Sequence, residues 1–257
     1  MQPDAAEGFS RLLYILCFET REIRVLVVRT TTAKMTRGEE NQSETVEMYL
    51  QTIYRLKETH GSARTSSMAS SLGVSMGAVT NTLASLEKQG LVQRRAYRGV
   101  DLTPRGETVA LRVLRRHRLA ERLLTEVLGM KWSEVHELAC RLEHAMTDDV
   151  IEALEKLLRN PKTCPHGNPI PTSAGKIKQA KSKPLNKLKP TQKGILEKVV
   201  GEKADLLRYL ASLGLVPGVS VRVEEKAPFD GPIIVNVRGS RYALGQQVAS
   251  LIRVRRS

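Results

Sequence analysis

The sequence predicts a mainly α-helical chain that ends in a small β domain, and three observations predict it. Two short helical patterns parted by a glycine turn run into a basic, alternating stretch, the order of elements in a winged helix-turn-helix. Long amphipathic runs follow, with apolar residues at helical spacing. Beyond a lysine- and proline-rich stretch, "VSVRVEEK", "PIIVNVRG" and "ASLIRVR" read as short strands.

In chain order, residues 1–40 match nothing that follows. They read as an N-terminal extension, either without a fold or produced by a start placed upstream of Met35. Their longest apolar run, "LLYILCF", is too short to cross a bilayer and lacks the flanks of a secretory signal, so no membrane segment is expected. Residues 41–106 form the predicted winged helix. Its first helix is "TVEMYLQTIYRLKE", Thr45 to Glu58, with Met48, Ile53 and Leu56 at helical spacing and Ser43 or Thr45 as cap. The next two helices run from Thr65 to Leu72 and from Ser75 to Gln89, turning at Gly73. Gly90 stops the second, and "LVQRRAYRGVDLT" forms a hairpin around Arg98-Gly99.

Residues 107–171 form a helical unit. One long helix starts at Pro104 and breaks at Gly129; another starts at Ser133, capped by that serine, and runs through Leu158 until "PHGNPIP" ends helical structure. Residues 172–194, "TSAGKIKQAKSKPLNKLKPTQKG", hold no acidic residue and read as a mobile linker. Residues 195–257 combine a short helix, "KADLLRYLASLG", with the strands above. The result is a small barrel near the lower size limit for independent folding.

Charge narrows the partner. Lys and Arg number 41 against 27 Asp and Glu, a formal charge of +14, which favours DNA, RNA or an acidic membrane surface. The three cysteines (Cys17, Cys140, Cys164) are odd in number and widely spaced, which fits a reduced, cytoplasmic setting and leaves thiols free to act as ligands.

The stretch "VHELACRLEH" carries the chemistry. On a helix, His136, Cys140, Glu143 and His144 fall in one stripe about 100° wide, apart from the core stripe of Val135, Leu138, Leu142, Ala145 and Met146. Imidazole, thiolate and carboxylate together suit Fe, Mn, Co, Ni or Zn rather than Ca or Mg. A lone helical histidine is more often merely hydrogen-bonded, and a lone cysteine more often fills a core. The second pair, His117 and Glu121 at i, i+4, tips the balance towards metal binding.

"EMYLQTIYRL", "RRHRLAERLLTEVLG", "VHELACRLEHAMTDDV" and "HGNPIP" together resemble the iron-dependent repressor family, the diphtheria toxin repressor type of metalloregulator, from about Thr45 to Pro171. The resemblance implies homodimers with a winged helix, a helical dimerisation and metal-binding domain, and an SH3-like domain. By position it implies a primary metal site of Met48, Cys140, Glu143 and His144. It implies an ancillary site of His117, Glu121 and His136, with Glu197 and Glu202 near the segment of the SH3-like domain that adds ligands. The tail "LRYLASLGLVPGVSVRVEEKAP" resembles the ferrous-transport-protein-A variety of that domain. An anion pocket would use Arg118 and Asn168, with Cys164 where the best-known members have serine. The activating ion would be Fe(II) or Mn(II). The sulfur ligands lean towards Fe(II), with Co, Ni or Zn as substitutes.

Double-stranded operator DNA is then the expected partner. The recognition helix would present Ser75, Gly77, Thr80 and Asn81 to base edges, while Arg64, Arg94, Arg95 and Arg98 contact phosphates. A bound ion would join the first helix of the reading head to the dimerisation helix and set two heads roughly 34 Å apart. Two rival readings stand beside this one. A metal-blind winged-helix regulator would keep the ligand helix as a relic. A metal-dependent hydrolase lacks H-E-x-x-H, a nucleophile elbow and a phosphate loop.

Overall fold

In the computed structural model the described residues are 42–95, 99–178 and 181–256, together with Tyr14–Ile15 (β1) and Leu26–Val27 (β2). β1 and β2 pair antiparallel, Tyr14 opposite Val27, within a unit of their own that ends at Asn41. The expectation that residues 1–40 lack a fold otherwise lies outside the described residues.

From Gln42 onward, three cores follow one another in one unit. The first is built on α1 (Glu44–His60), α2 (Thr65–Leu72) and α3 (Met76–Lys88). Ser43 caps α1 by accepting from the Val46 N–H, and Glu44 and Glu47 sit in the first turn, where the helix dipole favours acids. Ser75 caps α3 in the same way through Ala78. Leu50, Ile53, Met68, Val79 and Leu86 are fully buried between the three helices. The wing, β3 (Val92–Arg95) and β4 (Gly99–Leu102), pairs Val92 with Leu102 and Arg95 with Gly99. Gly99 has φ +86°, and a Cβ there would lie 2.3 Å from the Ala63 carbonyl oxygen. No other residue fits against that backbone.

The second core hangs on α4 (Pro104–Arg122), capped by Thr103 with Pro104 in its first turn. It runs on as a π-helical turn, Leu123–Val127, before the break at Gly129. The helix expected from Ser133 to Leu158 is instead two, α5 (His136–Leu142) and α6 (Asp148–Leu157). Thr147 is extended (φ −75°, ψ 163°) with Asp148 and Asp149 behind it, a fresh helix start that halts the first segment. Ser133 is buried in the turn before α5 and caps nothing; Val135 holds that position without a side-chain cap. Leu119, Leu124, Val135, Ala139, Ile151 and Leu154 fill this core.

The third core lies on a six-stranded antiparallel sheet, ordered β5-β10-β6-β7-β8-β9. Its elements are β5 (Lys183–Pro184), β6 (Lys193–Val199), α7 (Ala204–Ser212), β7 (Ser220–Lys226), β8 (Ile233–Val237), β9 (Ser240–Leu244), α8 (Gln246–Leu251) and β10 (Ile252–Arg256). The linker reading of 172–194 needs correction. Lys183 and Pro184 pair with β10, and Leu185 and Leu188 are buried with the strands, so residues 183–194 belong to this domain. Two leucines three apart were the only core signal in a stretch whose lysines dominate its composition. β6 and β9 were not foreseen; the β8–β9 turn puts Arg238 (φ 53°) and Gly239 (φ 91°) both in the left-handed region, as a two-residue hairpin requires. "ASLIRVR" splits into the end of α8 and β10.

Candidate metal centre

Four segments deliver the donors to one place. α4 carries His117 and Glu121 one turn apart on its inner face, both fully buried. α5 carries His136 and Cys140, with Glu143 and His144 in the turn that ends it. The loop between the second and third cores brings Cys164 and His166, and the loop from β6 to α7 brings Glu202.

Their atoms outline a tetrahedron. His117 Nε2 lies 3.0 Å from Glu121 Oε1, 3.1 Å from His136 Nδ1 and 3.9 Å from Glu202 Oε2. His136 Nδ1 lies 3.5 Å from Glu121 Oε1 and 3.2 Å from Glu202 Oε2. Four ligands bound to a first-row ion at about 2.1 Å stand about 3.4 Å apart, so these spacings fit such an ion. The hydrogen positions ask for one too. His117 Nδ1 donates to Glu143 Oε2 at 2.6 Å, so Nε2 faces a carboxylate oxygen and a second imidazole nitrogen, and an ion that takes the place of the protons there meets all three atoms. Glu121 Oε2 is buried with no hydrogen-bond partner, an orphan that costs stability unless a cation meets it.

A second donor set shares Glu121 and Glu202 and adds Cys164 and His166, with His166 Nδ1 3.2 Å from Glu121 Oε1. A third joins Cys140 to His117 and His136, its Sγ 3.9 Å from each ring. Sequence reasoning left Cys164 as a thiol free to act as a ligand, placed it in an anion pocket and passed over His166. The Cys-Pro-His triplet was the available signal.

Electrostatics follow from the packing. Burial and the Arg55 charge work against an imidazolium at His117, yet Glu121 and Cys140 outweigh them and lift it to about 10. His136 and His166, likewise opposed by burial, rise to about 12 and about 11 through Cys140 and Glu121 in one case and Cys164 and Glu121 in the other. Burial would raise Cys140, but its contacts with His117 and His136 bring it down to about 6, into the thiolate range. Burial and Glu121 push the Cys164 thiol up. Glu121 and Glu202 overcome the cost of burial and fall well below the carboxylate range, held by His117 in one case and by Arg55 in the other.

The residues expected at two separate sites form one continuous cluster. Glu143 joins the halves, accepting from His117 and from Gln51 Nε2 at 3.2 Å. Cys140 turns to the imidazoles of the ancillary set, and His144 Nδ1 reaches Glu47 Oε2 at 2.7 Å on α1. Its Nε2 is 3.3 Å from Glu143 Oε1 but without hydrogen-bond geometry. Met48, 37 % exposed, lines the same 950 Å³ cavity as Cys140, Glu143 and His144. Glu202 enters the cluster and Glu197 does not. Glu197 is fixed within β6, with one carboxylate oxygen buried and unpartnered, whereas the backbone turn at Gly201 (φ 106°) swings Glu202 back to the histidines. Arg118 and Asn168 share no partner. Asn168 Nδ2 donates to Glu202 Oε1 at 3.1 Å, so a carboxylate of the chain itself sits where a free anion was expected; Arg118 serves the Pro169 carbonyl and Glu58.

In the first core, the first half of α3 exposes Ser75, Gly77, Thr80 and Asn81. Thr80 turns its hydroxyl back to the Met76 carbonyl. Arg64 is exposed at the start of α2. Arg94 pairs with Glu87 and Arg95 with Asp101 on the wing, and Arg98 lies outside the described residues. Met76, 59 % exposed at the tip of α3, was overlooked; its apolar side chain suits a thymine methyl.

Residues 41–100 match the family described as iron dependent repressor, N-terminal DNA binding domain, and residues 103–172 match its metal binding and dimerisation domain. The chain belongs to the iron-dependent repressor family. Residues 183–256 match the FeoA domain, beginning where the third core begins. Iron-dependent repressor IdeR of Mycobacterium leprae is 37% identical over 223 residues, 82% of this chain and 96% of that one. Diphtheria toxin repressor of Corynebacterium diphtheriae is 44% identical over 128 residues, 50% of this chain and 57% of that one. A manganese-dependent transcriptional repressor solved with manganese superposes with a TM-score of 0.78 at 31% identity, over 82% of this chain and all of the other. T. acidophilum IdeR gives 0.75 at 31% identity, over 84% of this chain and all of the other. The boundary between the two matches falls at the passage from β4 to α4, ahead of the helix that carries His117 and Glu121.

Proposed function

We propose that this chain is a metal-dependent transcriptional repressor, not an enzyme, that binds double-stranded operator DNA as a cytoplasmic homodimer when loaded with Fe(II) or Mn(II). One observation carries the reading: a near-tetrahedral set of two imidazoles and two carboxylates lies against the first helix of a winged-helix domain, whose Arg55 reaches Glu202 and His136. Among the described residues no helix is long and apolar enough to cross a membrane.

His117, Glu121, His136 and Glu202 would hold one ion; Cys140, Glu143 and His144, with Met48 from α1, would hold another at the head. The ion supplies a fixed positive charge that several anionic and imidazole ligands must approach together. Everything else falls to the chain. Gln51 and Glu47 on α1 already reach Glu143 and His144, so the pose of these ligands and the pose of α1 are set together. α2 packs on α1 and α3 on α2, so the recognition helix follows through their shared core. The thiolate at Cys140 and the thioether of Met48 favour a softer ion within this pair, Fe(II) over Mn(II). A clean switch in occupancy requires the ion to prefer the binding-competent pose by about 5.5 kcal/mol.

Genomic fragments retained by the protein under anaerobic Fe(II) provide the operator, and retardation of that fragment is then compared with Fe(II), Mn(II) and chelator. Tight binding with either ion and release by chelator are expected. Retention that chelation leaves unchanged would instead establish a metal-blind regulator.

A further inference from the structure

Arg55 belongs to no predicted site, yet its guanidinium lies at the edge of the cluster. It projects from α1, with Nη1 3.1 Å from Glu202 Oε2 and 3.5 Å from His136 Nε2. Its Nε and Nη2 are buried without hydrogen-bond partners, so the group is held there by charge and not by a completed set of bonds. One residue thus fastens the reading head to the third domain, and a second pair beside it, Glu58 Oε1 with Lys198 Nζ at 2.9 Å, fastens the same two bodies.

We infer that Arg55 is a tethered cation that occupies the Glu202 side of the cluster, and that a divalent ion must evict it, unfastening α1 from the third domain. Two contacts oppose joint occupancy. Glu202 Oε2 is both the acceptor for Arg55 and the oxygen closest to His136 Nδ1, so the ion and the guanidinium compete for it. The ion would also bring its charge onto the His136 ring, whose Nε2 lies 3.5 Å from Arg55 Nη1, and two cations then share one edge of the cluster. The 950 Å³ cavity that Arg55 lines leaves room for the displaced side chain. Arg55 is a positioning residue: it sets how much ion is needed and couples that to the freedom of the head.

The inference rests on the metal reading of this cluster, and the test separates the two. Fe(II) and Mn(II) affinities are measured by competition with a chromogenic chelator on the full chain, for the parent, Arg55→Met and Arg55→Lys. Arg55→Met is expected to bind ions on the order of tenfold more tightly, within the usual range of coupling between sites, and Arg55→Lys to stay near the parent. Affinity unchanged or weakened in Arg55→Met while the parent binds ions overturns the inference alone. Failure of the parent to bind any ion overturns both readings. In chelator-treated protein, Arg55→Met and Glu202→Gln are expected to shift the urea midpoint non-additively; strict additivity means the pair is not a clasp and counts against the inference.

Discussion

The inner half of the donor cluster and its outer half are neutralised in different ways. His117, Glu121 and His166 are fully buried and answer one another's charges across two chain segments. Met48, Cys140 and His144 face the cavity, and the partner of His144 is Glu47 from the reading head. The inner half is a preformed socket and the outer half a joint. A ligand set that must stay ordered is buried, and one that must change partners keeps access to water and to a second body.

The largest expected effect comes from the residue that both halves share. His117→Ala leaves Glu121 and Glu143 as buried carboxylates without their imidazole. Urea denaturation in chelator should show a loss of about 3–5 kcal/mol, with ion binding abolished; a loss as small as that of a surface substitution would mean the halves are not joined through His117. Substitutions confined to the joint should behave differently. Cys140→Ala and Met48→Ala are expected to stay folded while the ion concentration for half-maximal operator binding rises by more than the ~10–100-fold typical of losing an outer-shell partner. An unchanged metal response in both would remove the joint from the mechanism.

The pH dependence sharpens the contrast. His117 and His166 are raised from 6.5 to about 10 and about 11, so their stabilisation of the ion-free chain is complete below 6.5 and shrinks to nothing as pH climbs through those values. Cys140, lowered from 9.0 to about 6, acts the other way: its contribution is complete above 9.0 and lost as pH falls through 6. The histidines outnumber it. Urea midpoints in chelator should therefore fall from pH 7 to pH 9.5, while ion affinity rises by on the order of tenfold per pH unit for each proton shed. The smallest effect is at the wing. Arg94→Gln and Arg95→Gln break exposed ion pairs worth no more than about 1 kcal/mol, yet each should lower the slope of log affinity against log salt by about 0.9 if it meets a phosphate.

The helix-turn-helix and the wing were legible because they depend on local rules: Ser43 was one of two cap candidates for α1, Gly73 and Gly90 stand as left-handed stops, and the hairpin alternates. The break at Thr147 was missed, because the apolar period runs through its one local signal, "TDD". Local spacing also set His117 beside Glu121 and His136 beside Cys140. Which carboxylate would complete the set was undecidable locally, since Glu197 and Glu202 stand five apart on a segment whose path depends on the turn at Gly201 and on a sheet with partners as distant as β10.

By itself, then, the sequence determined the kinds of donor, the helices that carry them and the class of ion they suit, because side-chain chemistry and helical periodicity are properties of neighbours in the chain. Only the tertiary structure decided that two expected sites share one cluster, that His166 and Glu202 enter it, and that Arg55 stands at its edge. Those contacts join residues as many as 147 positions apart, Arg55 to Glu202, and the free energy that selects them is the burial of three cores packed together, which no local stretch encodes.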